Sequence, residues 1–231
     1  MATRLYLRET TANTSGYART EKSTALPVGL FNDSGLVARD LDEASGSSAE
    51  TAQVTSQANT GSQSGFFRKF ISAPLGVSSI TAQTWTIAFA ASEGNTNANA
   101  RLSLSIYVLK NDDTVRGYVW DTTEGFPTNP AEWSTILRGQ ITTISGSLVS
   151  SVVSTDRLCL EMWYTSSIQG MATAYTQTIS YNGTTTVVDG TNNSDPLAYL
   201  ETPQNGLIAV SEAAFLLGEP ARRLRRVRLA L

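Results

Sequence analysis

Apolar and polar residues alternate with a period of two through the middle of this chain. Trp85, Ile87 and Phe89 fall on one side of a stretch whose other side is Thr84, Thr86 and Ala88. Leu102, Leu104, Ile106 and Val108 repeat the pattern against Arg101, Ser103, Ser105 and Tyr107, and Val115, Gly117 and Val119 alternate with Arg116, Tyr118 and Trp120. Leu158, Leu160, Met162 and Tyr164 make a fourth row; Tyr175, Gln177, Ile179 and Tyr181 make a looser fifth. Residues two apart share one face of a strand, so the pattern predicts antiparallel sheets with one buried and one wet face. Turn residues separate the rows. Asn111-Asp112-Asp113 reads as a tight hairpin, Asn182-Gly183 as a short turn, and Ser154-Thr155-Asp156 as a corner before Arg157. Further strands at 140–144 and 148–153 bring the total to about eight, the number of a jelly roll. No stretch in this region holds a 3.6-residue apolar period, so no helix is expected there.

Composition divides the chain in three. Residues 1–65 open with one strand, Arg4–Arg8, and run through Leu26-Pro27-Val28-Gly29-Leu30-Phe31 into a tract, 44–64, whose single large apolar residue before the end is Val54. So little apolar surface does not offset the entropy of ordering the tract. The region reads as an extended N-terminal arm, ordered where it lies on the body or on a neighbouring subunit. Residues 66–200 carry the alternating rows and form the β-sandwich. Residues 201–231 hold a short apolar segment at Gly206–Val210, a strand or single helical turn at Ser211–Leu217, a break at Gly218-Glu219-Pro220, and then five arginines. No repeat at a fixed 20–50-residue period is visible, which argues against solenoids and propellers.

Charge sharpens the picture. The 231-residue chain carries 17 Lys+Arg against 20 Asp+Glu, a net of −3; Arg222, Arg223, Arg225, Arg226 and Arg228 supply five of the cations, so residues 1–220 carry 12 against 20, or −8. A basic tail on an anionic body suits docking. Leu224, Leu229 and Leu231 let that tail pack as well as neutralise, which places a protein partner ahead of nucleic acid. The partner-binding residues expected from sequence are therefore Leu26, Val28, Leu30 and Phe31 of the arm and Arg222, Arg223, Arg225, Arg226 and Arg228 of the tail.

The absence of histidine excludes Ser-His-Asp and Cys-His catalysis and histidine-ligated zinc or iron. Cys159 is the only cysteine, so neither an intrachain disulfide nor a cysteine zinc site forms, and the thiol is expected to be buried. No phosphate-cradling glycine loop is present, and no cofactor or metal is expected. Arg4 and Arg8 interrupt the start and no apolar run follows, so no secretory signal is expected. The longest apolar stretches, 87–91 and 213–217, are too short to span a bilayer.

Three chemistries remain. Glu132 and Glu161 make a pair of carboxylates of the kind glycoside hydrolysis uses, although Glu161 reads more simply as solvent-facing beside Arg157. Asp189–Asp195 spaces oxygen ligands as a calcium loop does, but Ser194 stands at the sixth position and Leu200 at the twelfth, so a polar surface turn is favoured. Trp120, Trp133 and Trp163 suit either sugar stacking or packing, and packing is favoured.

Ile80-Thr81 with Trp85, Asn99-Ala100-Arg101-Leu102-Ser103-Leu104, Asp156-Arg157-Leu158 with Glu161, and Tyr181-Asn182-Gly183 resemble strand signatures of jelly-roll virion proteins of tailed bacteriophages, including capsid decoration (cement) proteins. The resemblance covers roughly residues 66–200, with Ser154-Thr155-Asp156 where a Gly-Asp-Arg turn is usual. It implies a non-enzymatic subunit, a homotrimer, that braces neighbouring capsid subunits. Its partners would be the major capsid protein or other virion subunits, and its place the virion, assembled in the host cytoplasm. A neck or tail component, or an adhesion module holding host glycans on Trp120 and Trp133, is the alternative. A histidine-free glycoside hydrolase using Glu132 and Glu161 is the third reading.

Overall fold

The computed structural model describes residues 2–11, 30–31, 39–43, 49–55, 62–121, 132–167, 174–182 and 198–209. They form an all-β body of twelve strands: β1 (Thr3–Thr11), β2 (Leu30–Phe31), β3 (Arg39–Asp42), β4 (Ala49–Thr55), β5 (Ser62–Pro74), β6 (Gln83–Glu93), β7 (Ala100–Leu109), β8 (Val115–Trp120), β9 (Arg138–Gly146), β10 (Arg157–Ser167), β11 (Thr176–Asn182) and β12 (Tyr199–Thr202). A 3-10 turn, Thr96–Ala98, joins β6 to β7.

The hydrogen-bonded order is β4-β11-β6-β12-β1-β3-β5-β10-β7-β8, with β9 on β6 and β2 on β5. β9 follows one edge of β6 from Gln83 to Ala91, while β12 and β11 share the other edge. The sheet folds over, because strands far apart in this order meet in one core. Phe70 of β5 stands edge-on to Tyr181 of β11 with ring centroids 5.1 Å apart. Trp133 bridges Phe67 of β5 at 5.8 Å and Phe89 of β6 at 6.3 Å. Arg68 donates from Nε to the Tyr181 hydroxyl at 2.8 Å across the same interior. Two layers thus enclose one apolar core, as a β-sandwich does.

The expected apolar rows fill that core. Trp85, Ile87 and Phe89 of β6, Leu102 to Val108 of β7, Leu158 to Tyr164 of β10, and Ile179 and Tyr181 of β11 all belong to it. Gly146 is required where β9 passes the indole, since a Cβ there would lie 2.6 Å from the Trp85 ring. The β7–β8 hairpin turns at Asn111-Asp112-Asp113 as expected. Asp112 Oδ1 accepts from the Thr114 hydroxyl at 2.6 Å, and Asp113 takes a left-handed φ of 63°. The corner at Ser154-Thr155-Asp156 closes with Asp156 N–H donating to Val153 O at 2.9 Å. Asp156 itself is fully buried; it receives Arg116 through both Nε and Nη2 and the Val153 N–H at 2.9 Å. Asn182-Gly183 extends past the described residues.

Two expectations need correction. Residues 148–153 do not form a strand but hold one bridge, Val149 to Ile80, with hydrogen bonds of 2.8 and 2.9 Å. Two pairings, β2 and β3 on β5, are parallel, so the sheet is mixed. Parts of the expected arm also join the body. β1 lies between β12 and β3, β4 pairs with β11 from Ala49 to Thr55, and β5 crosses position 65. A polar segment such as Ala49–Thr55 gains order by adding its backbone to an existing strand, which needs few large side chains of its own. Beyond 200, β12 continues to Thr202, Leu207 is buried in the core, and Ala209 N–H donates to Pro74 O at 2.9 Å.

Candidate interaction surface

The outward side of β5-β10-β7 is closed at its centre, while Arg101 is exposed and Val115 and Tyr118 of β8 are half-buried. Alternation puts Cys159, Glu161 and Trp163 of β10 opposite the core row, beside Ile71, Lys69 and Phe66 of β5 and Tyr107, Ser105 and Ser103 of β7. All nine are buried. Ile71, Tyr107, Leu109 and Cys159 form a second apolar cluster with Val115 and Tyr118 against it, and Tyr107 stacks near Tyr118 at 6.0 Å. Glu161 is therefore not on a wet face, as expected from sequence, but wholly buried, and Tyr107 donates its hydroxyl to Glu161 Oε1 at 2.7 Å. Alternation separates the two faces of β10 without saying what covers either, and this second face is lined with the bulky Trp163, Tyr107, Phe66 and Ile71. Arg157, on the same face, donates from Nη1 to Ser72 O at 2.8 Å.

This arrangement suits structure better than reaction. Glu161, Lys69 and Tyr107 have essentially no exposed surface through which a substrate could reach them, whereas Glu132 is exposed. Burial pushes the Cys159 thiol up to about 12, so it stays protonated and unreactive. Glu93, at the end of β6, is also buried; it accepts from Ala100 N–H at 2.8 Å. Desolvation raises its pKa, the Ala100 hydrogen bond partly offsets this, and the nearby charge of Glu132 adds to the rise. Among the described residues no group of three or more Asp, Glu or Cys could hold a metal ion, and no helix is long and apolar enough to cross a membrane.

The opposite outward face is only partly open, with Ala88, Ala90 and Tyr199 buried and Ile141, Thr143 and Arg4 exposed. Cross-strand register lines up Ile141 of β9, Ala88 of β6, Tyr199 of β12, Tyr6 of β1 and Asp42 of β3 in one lateral row. Arg4 lies over the Tyr199 ring at 4.0 Å and pairs with Glu201 at 2.6 Å, and Arg8 pairs with Asp42 at 2.9 Å. These pairs are solvated, so each contributes about 0–1 kcal/mol. At the β9 margin the surface becomes apolar. The large exposed hydrophobic side chains among the described residues are Ile136 (58%), Ile141 (60%) and Leu148 (61%), within or flanking β9, and Val153 (47%), in the corner before β10. No charged residue stands between Arg138 and Asp156.

Of the partner-binding residues singled out from sequence, Leu30 and Phe31 are described. Leu30 and Phe31 form β2, paired in parallel with Gly65 and Phe66. Leu26, Val28, Arg222, Arg223, Arg225, Arg226 and Arg228 lie outside the described residues, as does the Asp189–Asp195 turn. Trp133 and Trp163 are buried, as packing residues are, and Trp120 is partly buried against the core; Trp133 therefore offers no ring to a glycan. The apolar margin at β9 was missed, although the uncharged run 139–155 was its visible sign.

No protein-family model and no curated protein sequence matches the chain. Among solved structures, a CocE/NonD family hydrolase from Staphylococcus aureus aligns at 12% identity with a TM-score of 0.43, covering 88% of this chain and 36% of that one. A CBM4 structure aligns at 14% identity and TM-score 0.25, covering 57% and 83% respectively. The VP2 subviral particle of infectious bursal disease virus aligns at 13% identity and TM-score 0.29, covering 66% and 35%. The chain spans about a third of the hydrolase and of the viral protein. All three TM-scores fall below 0.5, so the all-β assignment rests on the strands themselves and no activity is taken from these likenesses.

Proposed function

We propose that this protein is a non-enzymatic structural subunit of a bacteriophage virion, a decoration protein that braces neighbouring capsid subunits. The observation that carries the reading is the location of exposed apolar surface. It lies along a sheet margin, as a contact surface does, while the polar groups capable of chemistry are sealed. The folded-over sheet supplies a stiff spacer, and the acidic body with its arginine-rich segment supplies charge of both signs for steering onto a shell. The major capsid protein is the partner this reading names, and head, neck and tail positions are variants of it.

Electron microscopy of particles carrying the protein tests the proposal directly. Density for the sandwich on the outside of the head is expected; a protein found only in the free fraction of an infected lysate overturns the reading. A second arm uses the chain lacking 221–231. Its attachment to heads should weaken and lose much of its salt sensitivity, and unchanged attachment would remove the arginines from the contact.

A further inference from the structure

We infer that β9 is a self-association edge, along which a second copy of this chain adds its own β9 antiparallel about a two-fold axis. The inference does not rest on the virion reading, but it uses the same apolar margin and assigns it to a second copy instead of a capsid subunit. β9 pairs with β6 along one side, and among the described residues no strand pairs with its other side. An open edge offers a row of backbone donors and acceptors to another strand, and proteins that stay monomeric usually block it with lysine, proline, a bulge or an inward charge. β9 has none of these. Its register on β6 runs without a shift from Gln83↔Gly146 to Ala91↔Arg138, and after Arg138 its sequence is Gly-Gln-Ile-Thr-Thr-Ile-Ser-Gly.

The occupant follows from charge and size. A strip with no carboxylate between Arg138 and Asp156 gives an arginine-rich segment nothing to pair with, and it gives an acidic segment only Arg138. A neutral, β-branched strand suits it best, and β9 is one. Antiparallel pairing centred near Thr142 sets Ile141 opposite Thr143 of the second copy. The two Arg138 charges then stand about 25–30 Å apart, well beyond the screening length. Nine residues at about 3.4 Å each give an edge about 30 Å long. With two layers about 10 Å apart and their outer side chains, the side of the sandwich is about 20 Å deep, so pairing buries roughly 1,200 Å2 in all, the lower end for a specific interface. Ile136 and Leu148, just beyond the two ends of β9, would extend that contact. A two-fold pair replaces the trimer that the resemblance implies.

Sedimentation of the purified full chain at rising concentration tests this, alongside Ile141→Lys, Thr143→Lys and, as a control at the distant β7–β8 turn, Asn111→Lys. All three positions are exposed, so the variants should fold. The wild type and N111K should form dimers, and I141K and T143K should weaken dimerisation about a hundredfold or more. A monomeric wild type at about 100 μM, a trimer, or a dimer indifferent to both β9 lysines would overturn the inference. So would an edge that becomes protected only when a different protein is added.

Discussion

The two outward faces of the sandwich are built on the same alternation and end up opposite in character. On β5-β10-β7-β8 the side chains facing away from the core are Cys159, Glu161, Trp163, Tyr107 and Lys69, all buried. On β9-β6-β12-β1 Ile141, Thr143, Thr86, Glu201 and Arg4 are exposed or half-buried around a buried Ala88 and Tyr199. What covers each face separates them, not place in the sheet, since β6, β12 and β1 also have strands on both sides. A covered outward face can bury a glutamate when a tyrosine hydroxyl meets it, whereas an open one leaves even isoleucine in water. The lesson is that a charged residue does not mark the surface here, and an apolar one does not mark the core.

The largest effect is expected at the corner that ties the β9 flank to the closed half. Asp156→Ala removes a buried partner of Arg116 and of the Val153 N–H and should cost about 3–5 kcal/mol, read by denaturant unfolding. On the closed face, Tyr107→Phe takes the donor from Glu161 and should cost about 1–3 kcal/mol with the fold retained. On the open face, Arg4→Ala should cost about 1 kcal/mol or less. A loss at Arg4 as large as that at Tyr107 would erase the contrast.

Two smaller effects sharpen it. Glu93 has a folded-state pKa above its unfolded value, so it binds its proton longer when folded. Its contribution to stability is most favourable at low pH, falls as pH rises from the ordinary carboxyl value through the raised one, and is constant above that. Glu93→Gln should flatten that part of the stability–pH curve, and an unchanged curve would locate the raised pKa elsewhere. Cys159, held near 12, should resist thiol reagents at pH 8 until the protein unfolds; rapid labelling of the native chain would show that the closed face opens.

Much of the fold was legible in the residues. The rows at 85–89, 102–108 and 158–164 needed only period-two alternation, and the Asn111-Asp112-Asp113 turn needed only its composition. The strand Ala49–Thr55 was not legible, because its sequence holds no row of large apolar residues and its place is set by pairing with β11. Glu161 was misplaced because alternation identifies two faces without saying whether the second is covered. Its neighbours Cys159, Trp163 and Tyr107 carried that information in their bulk. The candidate surface was the least legible part. Arginines and an apolar arm segment stand out in a sequence, while what marks β9 is the lack of charge after Arg138 on an edge that no described strand pairs, and only the pairing pattern makes that lack meaningful.

Hydrogen exchange measured peptide by peptide, on the full chain at low and high concentration, tests most directly whether the open margin is where this protein associates. Amides of Arg138–Gly146 should become slower to exchange as concentration rises, while those of β5, β7 and β10 stay equally slow throughout. Exchange in Arg138–Gly146 that ignores concentration, together with a small molecule that protects the strands bearing Lys69, Tyr107 and Glu161, would contradict the account.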